Sequence, residues 1–444
     1  MWLAPHGFRQ VEGISYNADK ISTSTPMLSS IHSYLAVVVQ RQMYELQTDV
    51  TSAFSLCALE ENVYMEFPHG MKHQPGEDKV LKQGSYNWRV LVDRFMKDQG
   101  FQCDGTDPCW FWKYVDGKHL LQVLCWTDDF RAAGDRVIDV ENFTTAMKAS
   151  FPCRDVPTTK FIGMQIRHDR QAGIMGINME EKIDLLLEAT GLTDCKSVST
   201  PAIPNSKLTR LKEGEESDGE MSALWIARAA RSDALYAVNQ LTPHLTKPGP
   251  QHNIALKHLL RYFKGTKSME LRFHRDPSRG QLFNLTTYSD SDFAGEPQEN
   301  EFPMRSLSGT CIMLEGVGAI VTSSTLQSTI SRNTQESEYR ALGKAAELTL
   351  GPRHQFEAMH LLAEGPSLMH VDNQAAIQLT KNVLCQAKTR HIKLDHHFIR
   401  EVQANGHISV IYCPTKENVA DIFTKALPKP QFEYLRAKLM GHES

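Results

Sequence analysis

The chain has 444 residues, 41% of them hydrophobic and 23% charged, with a formal net charge of -4 at pH 7. This composition excludes a largely disordered chain and gives no global basic field for nucleic acid, so any such contact must come from local patches; the length predicts roughly two to four domains. No run approaches the ~18 apolar residues of a membrane span, MWLAPHGFRQ lacks the apolar core of a signal peptide, and nine cysteines without a CxxC pair fit neither a zinc site nor a disulfide framework. A reduced, intracellular protein without a membrane is the expectation.

The predicted elements begin with SYLAVVVQRQ (33–42) as a helix and YELQTDVTSAF (44–54) as a strand entering a turn. HLLQVLCWTDDFRAAG (119–134) reads as a β-hairpin. LKEGEESDGE (211–220) has no apolar periodicity and five acidic residues, which predicts an exposed linker. From Ser222 to Phe273 the pattern is helical, with Leu256, Leu259, Leu260 and Phe263 on one face and Gly265 as a C-cap. NLTTYSDSDFAG then reads as a strand ending in acids, GTCIMLEGVGAIVTSS as a hairpin turning at Glu315-Gly316, and the stretch from Glu336 to Glu364 as a long amphipathic helix. SLMHVDNQAAI follows as a strand running into a helix.

Two acidic constellations stand out. Asp128 and Asp129 lie adjacent at the tip of the first hairpin, where repulsion and desolvation both raise the energy of an unpaired couple. Either a cation sits there or the pair is a solvated turn. Neighbouring strands 44–50 and 119–126 would bring Asp49 to Asp128 at one sheet edge, a carboxylate set suited to Mg²⁺. In the second half, Asp290 ends a strand, Glu338 lies in the first turns of the long helix, Asp372 ends another strand, and Asp421 in ENVADIFTK begins a helix. Acids on four separate elements can surround a shared cation pair while leaving room for a phosphodiester. Asp292 is the alternative to Asp290, and Glu336 to Glu338. QAKTRHIKLDHHFIR (386–400) sets four Lys or Arg against one Asp, a local basic patch that is either a solvated helix face or a contact for nucleic-acid phosphates, with Lys388 and Arg390 foremost.

DVTSAF, EENVYMEFPHGM, KQGSYNW, QGFQCDGTDPCWF, VLCWTDDF and TDCKSVSTP occur in the order and spacing of copia-type retrotransposon reverse transcriptases, and the sequence resembles that family from about Leu3 to about Lys425. The resemblance implies an α+β chain. It places a reverse transcriptase with truncated fingers and palm over 1–205, a linker and helical thumb or connection segment over 206–281, and an RNase H-like α/β domain with a mixed sheet over 282–444. It assigns polymerase metal binding to Asp49 and Asp128 with Asp129 in support, sets Phe54 beneath the incoming sugar, and puts Gln83 near the nucleotide. For the nuclease it assigns Asp290, Glu338, Asp372 and Asp421.

The implied chemistry is two-metal phosphoryl transfer at both sites with Mg²⁺, Mn²⁺ being the alternative ion. The implied partners are an RNA template, a DNA primer, deoxynucleoside triphosphates, an RNA·DNA hybrid and other Pol or Gag segments, and the implied location is cytoplasmic and nuclear. The chain reads as a piece of a polyprotein. Trp126 stands where the family has tyrosine, and the chain is short between Val80 and Lys82, so a degenerate polymerase half belongs to the expectation. The alternatives are an RNase H-only nuclease and an inactive remnant that at most binds nucleic acid.

Overall fold

The computed structural model describes residues 25–56, 82–204, 222–244, 249–293, 305–381 and 393–442. The chain forms two compact units, one of Met1–Met27 and Met43–Thr158, the other of Leu28–Gln42 and Thr159–Ser444. Helix α1 (Leu28–Arg41), the helix expected at SYLAVVVQRQ, belongs to the second unit and is buried from Ser30 through Gln40. Its buried polar side chains His32 and Gln40 are satisfied inside, His32 Nε2 lying 2.9 Å from Ala229 O and Gln40 Nε2 donating to Asp276 O at 2.8 Å.

The first unit contains β1 (Tyr44–Val50), a 3-10 turn (Ala53–Leu56), α2 (Lys82–Asp98), β2 (Trp110–Val115), β3 (His119–Trp126), β4 (Asp129–Gly134), α3 (Val137–Ser150) and β5 (Cys153–Val156). Its sheet has the order β2-β3-β4-β1-β5. Trp88, Val92, Phe95 and Met96 recur on α2 at helical spacing and share one core with Leu121, Val123 and Cys125, which alternate along β3. The hairpin read from 119–134 is present. The expected adjacency of strands 44–50 and 119–126 is corrected: β4 lies between them and pairs with both. An antiparallel hairpin presents its returning strand to the next neighbour, so Asp129 and not Asp128 stands opposite Asp49.

The second unit continues with β6 (Lys160–Phe161), β7 (Met164–Asp169), β8 (Ile174–Asn178), α4 (Glu180–Ala189), α5 (Ser222–Ala229), α6 (Leu235–Leu241), α7 (Pro250–Gly265) and β9 (Leu271–His274). Residues 211–220, expected as a linker, lie outside the described residues. The helical segment expected from Ser222 is real but ends earlier. Leu271 and Phe273 alternate inward with Arg272 and His274, a strand pattern, and the segment pairs with β8. Gly265 is the last residue of α7, and Thr266 is its cap.

The mixed sheet expected for the C-terminal part then appears as β10 (Leu285–Asp292), β11 (Leu307–Leu314), β12 (Gly318–Leu326), β13 (Ser367–Val371) and β14 (Ile408–Tyr412), in the order β12-β11-β10-β13-β14. The first three strands are antiparallel, whereas β13 and β14 run parallel to β10. Helices α8 (Thr334–Ala358), α9 (Gln374–Lys381) and α10 (Lys393–Ala404) share a core with β13 and β14 through Tyr339, Leu342, Ala376, Ile399, Met369 and Val410. The chain closes with 3-10 turns at Thr415–Glu417 and Val419–Phe423 and with α11 (Lys429–Met440). Asp421 therefore sits in a 3-10 turn and not at the start of an α-helix, because Asn418 accepts from the Ala420 amide and sets a tight turn there. No helix among the described residues is long and apolar enough to cross a membrane.

Candidate active sites

In the first unit the register sets Asp49 between Asp129 on β4 and Arg154 on β5. Thr127 and Asp128 form the two-residue turn between β3 and β4, and Thr127 has φ of 53°, a strained value for a β-branched residue. Trp88 Nε1 donates to Thr127 O at 2.6 Å, and the Val50 amide donates to Asp128 O at 2.9 Å, so both sides of the turn are pinned. Burial, then Asp128 and Asp49, push the Asp129 carboxyl up to about 6. Burial also raises Asp128, opposed by a backbone hydrogen bond and reinforced by Asp49. The three acids thus sense one another. Asp49 Oδ2, however, accepts from Arg154 Nε at 2.7 Å and lies 2.7 Å from its Nη2. Phe54 lies in the 3-10 turn and Gln83 in the first turn of α2, and nothing is described of either side chain. Lys388 and Arg390 fall outside the described residues.

The second unit builds a tighter cluster. Because β10 and β13 run parallel with Ser289 opposite Val371, the residues that follow each, Asp290 and Asp372, come side by side at the carboxyl ends of the two strands. Ligands of open α/β sheets gather at that edge. Asp421 arrives from the Val419–Phe423 turn, held down by Asn418 Nδ2 donating to Ser289 O at 3.0 Å and Ser324 Oγ donating to Phe423 O at 2.7 Å. Gly309, opposite Asp290, makes this approach possible: a Cβ there would stand 2.6 Å from Ala420 O. Carboxylate oxygens of Asp290, Asp372 and Asp421 all lie within 4.8 Å of one another, the one such group of three His, Cys, Asp or Glu found among the described residues.

Glu338 joins them from α8. The helix starts at Asn333, whose side chain accepts from the Glu336 amide, and Glu336 answers by accepting from the Arg332 amide and pairing with Arg340. Glu336 is thereby engaged in capping its own helix. Two residues on, Glu338 is 5% exposed and its Oε2 has no hydrogen-bond partner. Burial, then Asp290 and Asp372, drive its carboxyl far above the usual range. Burial and Asp290 do the same to Asp421, with Lys425 opposing. Burial raises Asp372, against a hydrogen bond from Thr415 Oγ1 at 2.8 Å. Asp292 is half-buried at the end of β10 and is not part of the cluster.

Three residues here escaped the sequence reading. Lys425 Nζ lies 3.0 Å from Asp421 Oδ1 and 3.5 Å from Asp290 Oδ2, while the Thr424 hydroxyl donates to Asp290 and Thr415 to Asp372. Lys425 was findable, since it follows Asp421 at i,i+4, the spacing of a helical ion pair. Hard oxygen donors within 4.8 Å, a fourth buried carboxyl whose Oε2 has no hydrogen-bond partner among the described residues, and acids displaced upward by burial and by one another all fit a divalent, oxygen-seeking cation.

Residues 2–204 match the family model of reverse transcriptase (RNA-dependent DNA polymerase). The chain is 29% identical over 465 residues to the retrovirus-related Pol polyprotein from transposon TNT 1-94 of Nicotiana tabacum, covering 100% of this chain and 34% of that protein. It is 27% identical over 457 residues to the corresponding polyprotein from transposon RE2 of Arabidopsis thaliana, covering 98% and 30%. Along nearly its whole length the chain is similar to the Pol polyproteins of these plant retrotransposons. It spans about a third of the length of these relatives, and the reverse transcriptase match covers its residues 2–204. LC11 ribonuclease H1, isolated from compost, is similar to 32% of this chain over 92% of its own, at 16% identity and a TM-score of 0.25. The strand order described above, and not that likeness, defines the mixed sheet.

Proposed function

We propose that this chain is an RNA-directed DNA polymerase joined to a ribonuclease H, with the polymerase over 1–205, a linker and thumb or connection segment over 206–281, and the nuclease over 282–444. The observation that carries the reading is the meeting of Asp290, Asp372 and Asp421 within 4.8 Å beside the buried Glu338. In the nuclease these four acids hold Mg²⁺, or Mn²⁺ in its place, and Thr424 and Thr415 fix the directions of Asp290 and Asp372. In the polymerase Asp49 and Asp128 hold the ions and Asp129 supports them. A divalent cation so held lowers the pKa of bound water or hydroxyl and stabilises charge on a phosphodiester.

Phe54 packs beneath the incoming sugar and Gln83 lies near the nucleotide. Lys388 and Arg390 meet the phosphates of the RNA·DNA hybrid. The partners are an RNA template, a DNA primer, deoxynucleoside triphosphates, the hybrid, and other segments of Pol or Gag, in the cytoplasm and nucleus.

A second reading, in which only the nuclease works, is favoured by Asp49, whose Oδ2 is engaged by Arg154, and by the absence of Asp49, Asp128 and Asp129 from any group of three acids within 4.8 Å among the described residues. Purified protein with Mg²⁺, primed RNA template and deoxynucleotides, alongside a labelled hybrid, separates the two. Primer extension and hybrid cutting, the latter abolished in Glu338→Ala, support the first reading. Hybrid cutting without extension leaves the second, and no cutting in Mg²⁺ or Mn²⁺ removes both.

A further inference from the structure

Lys425 is the only described cation set against the acid cluster in the ion pairs above, and it meets two of the three converging aspartates at once. Its side chain is 37% exposed, so the stem is partly covered while the ammonium can still reach solvent. Burial alone would depress it, but Asp290 and Asp421 outweigh that and hold the ammonium charged. Asp421 Oδ1 and Asp290 Oδ2 are also oxygens that a divalent ion in this cluster would draw on. A close ammonium and a tightly bound divalent cation compete for the same carboxylate charge, and each places positive charge where the other must be.

We infer that Lys425 is the resident counter-ion of this acid cluster, and that a divalent cation entering it displaces the ammonium from Asp421 and Asp290. This rests on the metal-binding reading given above and adds to it a positioning role. Lys425 balances carboxylate charge at Asp421 and Asp290 until the ion arrives, and thereby sets how tightly the ion is held. Glu338 Oε2 has no hydrogen-bond partner among the described residues. Thr424 and Thr415 contribute neutral hydrogen bonds, which direct carboxylates without balancing their charge.

Two measurements on the whole chain test this. In the first, surface amines are acetylated for short times with and without Mg²⁺ or Ca²⁺, and the label at Lys425 is read by mass spectrometry. Displacement predicts faster labelling of Lys425 when the ion is bound, with Lys344, paired with Glu347, unchanged; slower or unaltered labelling overturns the proposal. This requires no variant and so survives a variant that fails to fold. In the second, Mn²⁺ binding is followed by calorimetry in the native protein and in Lys425→Met.

Loss of the competing charge-assisted bond predicts tighter binding by about tenfold or more. Equal or weaker binding in Lys425→Met overturns the proposal while leaving the metal site intact. If neither protein binds Mn²⁺, the metal-site reading fails and the proposal with it. Binding by Lys425→Met alone supports both.

Discussion

Glu338→Gln separates what the acid cluster does for stability from what it does for cation binding. Two unit charges 4.8 Å apart, the outer spacing of the aspartate oxygens, repel by about 3–4 kcal/mol at an effective dielectric near 20. Glu338 feels such repulsion from Asp290 and Asp372 on top of its burial, and these raise its carboxyl from about 4.5 to about 9. Between those values the folded protein retains a proton that the unfolded chain has released. The sign follows: Glu338's contribution is fullest below about pH 4.5, and stability without divalent ions falls as pH rises toward about 9.

At pH 7, protonating Glu338 on folding costs up to about 3 kcal/mol, from roughly 2.5 pH units at about 1.4 kcal/mol each. Glutamine needs no proton. Glu338→Gln should therefore be more stable than the native chain by up to about 3 kcal/mol at pH 7 in chelator, a difference that vanishes near pH 4.5. Adding a divalent ion should reverse the order, because a cation at about 1,000 times its Kd stabilises the native protein by about 4.1 kcal/mol and the variant much less. Urea unfolding at several pH values, with chelator and with Mg²⁺, reads all of this. A pH-independent difference, or a variant destabilised at pH 7 in chelator, would refute the argument that the neighbouring acids hold Glu338 protonated.

Trp88→Phe removes the 2.6 Å bond to Thr127 O and should cost about 1–2 kcal/mol in urea unfolding, with faster amide hydrogen exchange at Asp128 and Asp129 than at the centre of β3. Asp129 should titrate near pH 6 by carboxyl NMR, and Asp49→Asn should lower that midpoint by removing a like charge. The stability linked to Asp129 is present below about pH 3.8 and lost as pH rises through about 6. Asp233 forms two bonds to Arg231, at 3.0 and 2.9 Å, and both side chains are 0% exposed. Asp233→Asn leaves the guanidinium without its counter-charge and should cost about 3–5 kcal/mol, read from the urea midpoint.

The elements were legible in the sequence wherever one period dominates. The apolar run at Leu35–Val39 is buried throughout its helix, and Leu121, Val123 and Cys125 recur at the strand period and face one core. Strand neighbours were not legible, since adjacency depends on which strand of a hairpin returns. Reading 119–126 as the partner of 44–50 missed β4, although the acids of β4 were already in view. The short strand at Leu271–His274 was absorbed into the preceding helical pattern because four residues give two alternations, too few to outweigh sixteen residues of helix.

The two acid clusters differ in a way that carbon-chain spacing alone could not reveal. At Asp290, Asp372 and Asp421, parallel strands in register, a glycine that admits the opposing turn, and an asparagine tether force the carboxylates together. Acids fixed by backbone cannot move apart, so burial and their mutual repulsion raise the carboxyls of Glu338 and Asp421, and the Lys425 ammonium is drawn to Asp421 and Asp290. In the first unit Asp49 is paired with Arg154, whose side chain is 74% exposed, and such a pair holds its geometry weakly. A cation entering there meets a partner that solvent can take back, whereas one entering beside Glu338 must move a lysine already tied to two acids. The electrostatic work of loading an ion is therefore concentrated at Lys425, and substitution there, more than at any neutral neighbour, should change how much cation the cluster needs.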